Sequence, residues 1–175
     1  MKKLIFGAML IFACAIQLNA QSSITGQAKA EVASQLAISD NVPGGTTLNF
    51  GKIAVAAGPI GTCTVSTLNV VTVSGTVNAI ASTTSNAIFS LKGMPAKTYA
   101  ITLPASTVVT RAGGVETMTV DNFKARPTSA GSDGLTGTLS SLGVDDFTVG
   151  GQLTVTSAQA DGVYNGTFSV TVAYN

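Results

Sequence analysis

Beyond about residue 20 the chain alternates apolar and polar positions in short runs, and glycine closes many of them. Period-2 alternation is the mark of half-buried antiparallel strands, and no 3.6-residue helical period persists anywhere after Ala20. Strands are predicted over residues 28–32, 36–38, 48–51, 63–73, 87–91, 99–103, 108–110 and 118–123. Loops fall at Asp40-Asn41-Val42-Pro43-Gly44-Gly45 and Gly58-Pro59-Ile60-Gly61, and Pro104 stops the sixth strand. Residues 125–137, rich in Gly, Ser, Thr and Pro, predict a long and mobile surface loop. Phe147 and Val149 precede Gly150-Gly151-Gln152, and Leu153 and Val155 follow. That spacing predicts a hairpin whose three-residue loop pairs Val149 with Leu153 and Phe147 with Val155. The expected fold is all-β, an immunoglobulin-like antiparallel β-sandwich.

The N-terminus has a different pattern. Lys2 and Lys3 precede a ten-residue apolar run, and Leu18-Asn19-Ala20-Gln21 offers a cleavage point between Ala20 and Gln21. This is the tripartite layout of a secretory signal, and the run is too short for a membrane span. Residues 1–20 are therefore expected to be a signal peptide and residues 21–175 a single sandwich domain. The protein is expected to be exported to the periplasm, cell surface or medium, with no transmembrane segment in its mature form. The competing reading, lipid attachment at Cys14, is weakened by bulky Phe12 and by apolar Ala15-Ile16 after the cysteine.

Composition then removes function classes. Cleavage would leave seven basic against eight acidic residues, so no basic surface is expected for nucleic acid. It would also leave Cys63 alone, which excludes an intramolecular disulfide and predicts a small buried residue. The chain has no His. The commonest general base and metal ligand are thus missing, and no Ser-His-Asp or Cys-His site can be built. Asp145 and Asp146 are neighbours on a strand and should point to opposite faces. Ser90 and Lys92 could share a face, which is thin support for a nucleophile–base pair. No catalytic residue, metal ligand or cofactor is expected, and the protein is read as not an enzyme. With no Trp, and Phe50, Phe89, Phe123, Phe147 and Phe168 all in strand patterns, the aromatics read as core.

The C-terminal segment is the most specific feature. Tyr164, Phe168, Val170, Val172 and Tyr174 share one face of an expected continuous strand over 164–174, with Gly166 interrupting that face. Gly162 is the fourteenth residue from the end, counting Asn175 as the first, and Tyr174 is penultimate. This ending resembles the final strand of chaperone–usher pilus subunits and of the spore coat protein U family. The wider set Leu48-Asn49-Phe50-Gly51, Tyr99-Ala100-Ile101-Thr102-Leu103-Pro104, Met118-Thr119-Val120 and the final strand is similar to a family of secreted bacterial domains of unknown function. That resemblance implies an exported sandwich serving as a surface-fibre or coat subunit, and it carries over no catalytic residue. The single Cys departs from the disulfide common in pilins.

Upstream, Ile24, Gly26, Ala28, Ala30 and Val32 alternate and make a candidate donor arm. The candidate receiving strand comprises Gly162, Tyr164, Phe168, Val170, Val172 and Tyr174. The expected function is that of an exported structural or assembly protein, pilus-like or coat-forming, pairing by strand addition. Its partners would be itself or related subunits and an export chaperone. The alternative is a monomeric envelope or secreted module that binds carbohydrate or protein without catalysis.

Overall fold

The computed structural model describes residues 27, 29, 30, 32, 34–39, 45–56, 58 and 60–175. The chain divides into two units, Met1–Val32 and Ala33–Asn175. Ala20, Gln21, Ile24, Gly26 and Ala28 lie outside the described residues. Within the first unit, Ala30 and Val32 are exposed and belong to no strand.

The second unit is an all-β sandwich, antiparallel throughout, with no helix among the described residues. Its strands are β1 (Ala37–Ser39), β2 (Lys52–Val55), β3 (Gly61–Val65), β4 (Val71–Ser74), β5 (Val77–Ile80), β6 (Ala87–Lys92) and β7 (Thr98–Thr102). They continue as β8 (Ser106–Arg111), β9 (Thr117–Pro127), β10 (Thr136–Thr138), β11 (Val144–Val155), β12 (Tyr164–Asn165) and β13 (Thr171–Tyr174). The large sheet runs β1-β6-β11-β9-β8-β12, with β3 and β4 added beside β11. Two small sheets, β10-β7-β13 and β2-β5, complete the unit.

Residues 147–155 organise the large sheet, and they do not form the expected hairpin. Phe147, Val149, Gly151, Leu153 and Val155 lie on one face of a single strand, which satisfies the same alternation without a turn. β9 pairs along one edge of β11, while β6 and then β3 share the other. The glycines serve close approach rather than reversal. A Cβ on Gly150 would sit 2.5 Å from the Val65 carbonyl oxygen. The irregularity lies on the partner strand, where Asn122 and Phe123 both stand opposite Gly151. Asn122 takes a φ of 49°, and as the extra residue of this bulge it turns Phe123 toward the interior.

Three other expectations change. Residues 63–73 are two strands, because Ser66 Oγ accepts from the Leu68 and Val70 amides and closes a turn. Residues 125–127 belong to β9, and the remaining loop is tied down: Ser129 Oγ donates to Asp145 and accepts from the Thr138 amide. The expected strand over 48–51 is only a bridge between Asn49 and Ser85, and the regular strand starts at Lys52. The strands expected near 87–91, 99–103, 108–110 and 118–123 are present as β6, β7, β8 and β9.

The interior holds two apolar clusters. One gathers Phe89, Leu91, Tyr99, Ile101, Leu139, Phe147 and Val149 between the large sheet and β10-β7-β13. The other gathers Cys63, Val77, Met118, Val120, Leu153 and Val155 beneath β2-β5.

Candidate functional site

The C-terminal segment is not one strand. β12 pairs with β8 in the large sheet, and β13 pairs with β7 in the small one. Residues 166–170 cross between the sheets without belonging to either. Gly166 makes the crossing possible, since a Cβ there would stand 2.5 Å from the Val108 carbonyl oxygen. The alternation nevertheless holds across the break. Tyr164, Phe168, Val170, Val172 and Tyr174 are half-buried, while Asn165, Thr167, Ser169, Thr171 and Ala173 are exposed.

Its two tyrosines fasten opposite ends. Tyr164 donates its hydroxyl to the Ala160 carbonyl at 2.7 Å and accepts from Gln159 Nε2 at 2.8 Å, which folds the 156–162 loop back on β12. Tyr174 donates to the Ser34 carbonyl at 3.1 Å and accepts the Met94 amide at 2.6 Å. Between them Phe168 stacks on Phe123 with ring centroids 5.1 Å apart, and its edge meets Phe89 at 6.3 Å. Gly162, the fourteenth residue from the end, has a φ of 151° and packs its Cα against Arg111; a Cβ there would meet the Arg111 side chain at 2.8 Å.

This crossing segment forms one wall of a cleft of about 1640 Å³. The other wall is the 46–56 segment, carrying Leu48, Phe50, Ile53 and Val55. The floor is the inner face of the large sheet, with Phe89, Val109, Met118, Val120, Phe123, Leu153 and Val155. Among the described residues, neither wall is covered as a sandwich layer ordinarily is. β13 is an edge strand of its sheet, β2 pairs only with β5, and residues 168–170 pair with no strand among the described residues. The cleft is therefore an apolar trough flanked by main chain with unused hydrogen-bonding capacity. The second wall escaped the sequence reading, although Ile53 and Val55 alternate with Lys52 and Ala54.

The groups weighed for chemistry lie elsewhere and are held apart. Asp145 accepts from Tyr99 at 2.7 Å and from Ser129 at 2.5 Å, whereas Asp146 accepts from Ser90 at 2.5 Å. The two carboxylates thus serve different partners, and Ser90 is bonded to Asp146. Burial and the neighbouring Asp145 carboxylate push the Tyr99 phenol far above its ordinary range. Cys63 is fully buried, and burial raises its thiol pKa, the reverse of what activates a nucleophile. Among the described residues no group of three His, Cys, Asp or Glu could hold a metal ion. No helix among them is long and apolar enough to cross a membrane.

Fold and cleft together define a β-sandwich domain with an apolar cleft that no strand among the described residues covers. The chain belongs to the family described as Domain of unknown function (DUF4402), whose model matches residues 36–174. No curated protein and no solved structure matches it.

Proposed function

We propose that this is an exported structural protein that assembles by taking an extended strand of another polypeptide into the cleft between residues 46–56 and 158–170. The observation that carries the reading is the apolar floor between two walls of which one, at residues 168–170, pairs with no strand among the described residues. An added strand would satisfy both needs, since its main chain bonds the edges and alternate side chains fill the trough. A pilus-like or coat-forming subunit uses such a contact, because head-to-tail pairing need not close into a ring. Export rests on the signal-like N-terminus.

The carbohydrate-binding alternative draws less support. Sugars stack on exposed aromatic faces, yet Tyr99 is fully buried and the Tyr164 and Tyr174 hydroxyls are bonded within the domain. The test is sedimentation and negative-stain microscopy of the exported protein at micromolar concentration, beside a Val109→Glu variant. Oligomers or filaments that the variant abolishes support the reading, since a carboxylate in an apolar trough carries a desolvation cost. A monomer at every concentration, or assemblies indifferent to the substitution, would sink it.

A further inference from the structure

We infer that Asn165 is a site of spontaneous covalent modification. Its side-chain amide is converted, through a cyclic imide formed with Gly166, into aspartate and isoaspartate while the domain stays folded. The inference is independent of strand acceptance by the cleft.

The chemistry needs an asparagine amide, an unhindered main-chain nitrogen after it, and freedom for the two to meet. Asn165-Gly166 is the one Asn-Gly pair in the chain. Glycine leaves its own nitrogen open toward the preceding side chain. Phe50, Val70, Ala87 and Phe123 shield the nitrogens that follow Asn49, Asn69, Asn86 and Asn122. Those four side-chain amides also donate to fixed acceptors, namely the Thr83, Thr84 and Thr67 carbonyls and Gln152 Oε1. Asn165 is exposed, and its side chain has no partner among the described residues.

The fold frees the attacking nitrogen as well. β12 is the last strand of the large sheet and pairs only with β8 among the described residues. In that ladder the Ala112 amide donates to the Val163 carbonyl at 2.8 Å, so residues 163 and 165 turn their backbone groups toward β8. The carbonyl and the N–H of one trans peptide unit point opposite ways. The Asn165 carbonyl faces β8, and the Gly166 N–H therefore faces the open edge. Residues 166–170 belong to no strand, so no ladder beyond Asn165 resists the rotation that ring closure requires. The first tie further on is the bond from Thr107 Oγ1 to the Thr167 carbonyl.

Asp133-Gly134 is the opposite case. There the Gly134 amide donates to the Ala125 carbonyl at 2.9 Å, and the Asp133 carboxylate accepts from Thr67 at 2.7 Å. Asp161-Gly162 shares the glycine, but an ionised carboxylate resists nucleophilic attack.

Water is the sole co-reactant. The Gly166 nitrogen gives up its proton and attacks Asn165 Cγ. An N–Cγ bond forms, the Cγ–Nδ2 bond breaks, and ammonia leaves carrying that proton. Water then opens the ring at Cγ to give aspartate, or at the Asn165 main-chain carbonyl carbon to give isoaspartate. Either product adds a negative charge. Isoaspartate also routes the main chain through the side-chain methylene. That lengthens the link between Tyr164, bonded to Ala160 and Gln159, and Phe168, stacked on Phe123, so the crossing no longer fits both.

The test follows the purified full chain in mildly alkaline buffer, native and in denaturant, by isoelectric focusing and by peptide mapping in water labelled with heavy oxygen. An acidic form carrying the label at residue 165 is expected in the native chain. It should appear roughly five-fold more slowly than in denaturant, the effect of opening one ladder bond at the Asn165 carbonyl. Slowing by about a thousand-fold or more would mean that the reaction waits for global unfolding, and would overturn the inference. So would equal conversion at Asp133, or an acidic form that persists in Asn165→Gln, whose longer side chain closes the ring poorly. Asn165→Asp carries the charge without the added methylene, and the aged isoaspartyl fraction should melt below it.

Discussion

β11 and the 164–174 segment carry nearly the same pattern: alternating apolar residues with glycine in the apolar register. Their structures differ sharply. β11 is flanked on both edges, and Phe147, Val149 and Val155 are fully buried. The C-terminal segment breaks into β12 and β13, changes sheets, and leaves its apolar side chains half-buried beside a cleft. Alternation reports which side chains face the interior. It does not report whether the backbone edges have partners, because those partners come from distant parts of the chain. A strand paired on both edges and a strand with a free edge read alike.

Three measurements can break or sharpen that contrast. The largest effect should come from Phe147→Ala, which empties a fully buried site stacked 5.1 Å from Phe89. A loss of about 3–5 kcal/mol is expected by denaturant titration. Phe168→Ala, across the same cluster but half-buried, should cost about 1–2 kcal/mol. Equal losses would mean that the C-terminal segment is as fully covered as β11.

Next is alkaline stability. Tyr99 has its pKa raised in the folded state from the ordinary 10.0 by burial and by Asp145. A raised folded-state pKa means that the stabilisation is present below the unfolded value and declines once pH exceeds it. Thermal stability of the native chain should therefore fall above about pH 10, and Tyr99→Phe should flatten this decline. An unchanged slope in the variant would place the alkaline sensitivity elsewhere.

The smallest effect belongs to the open end. The Arg111 guanidinium bonds Glu116 at 2.6 Å and lowers its pKa to about 2, with the Glu116 and Val115 amides assisting. A depressed carboxylate contributes above its unfolded pKa, and that contribution is lost as pH falls from the ordinary 4.5 toward about 2. Because the pair is exposed, Glu116→Gln should alter the acid limb of the melting curve only slightly. A large change would show that the 112–116 turn bears on the cleft through Val163, whose carbonyl accepts from Ala112.

Much of the architecture was legible. The inner faces of β6, β7, β9 and β11, the buried cysteine and the aromatic core follow from period-2 patterning, since burial of one sheet face is a local property. Gly150-Gly151 misled because glycine serves both tight turns and close backbone approach, and only the position of Val65 distinguishes them. The cleft was half legible. The Tyr164 wall stood out, whereas the Leu48–Val55 wall lacks a continuous strand and depends on pairing β2 with β5, some twenty-five residues onward.

Tyr174 closes a contact with Ser34 across 140 residues of sequence, and Met94 joins it across 80. Such separations make loop closure the dominant entropic obstacle to reaching the native state. Domains ruled by distant pairings fold on the order of milliseconds to seconds, well behind helical bundles of equal length. Throughout that interval the floor of the large sheet has no roof. A chain of this topology is thus exposed to aggregation for longest at that floor, and a holdase that occupies this surface would raise the yield of folded protein without altering its final stability.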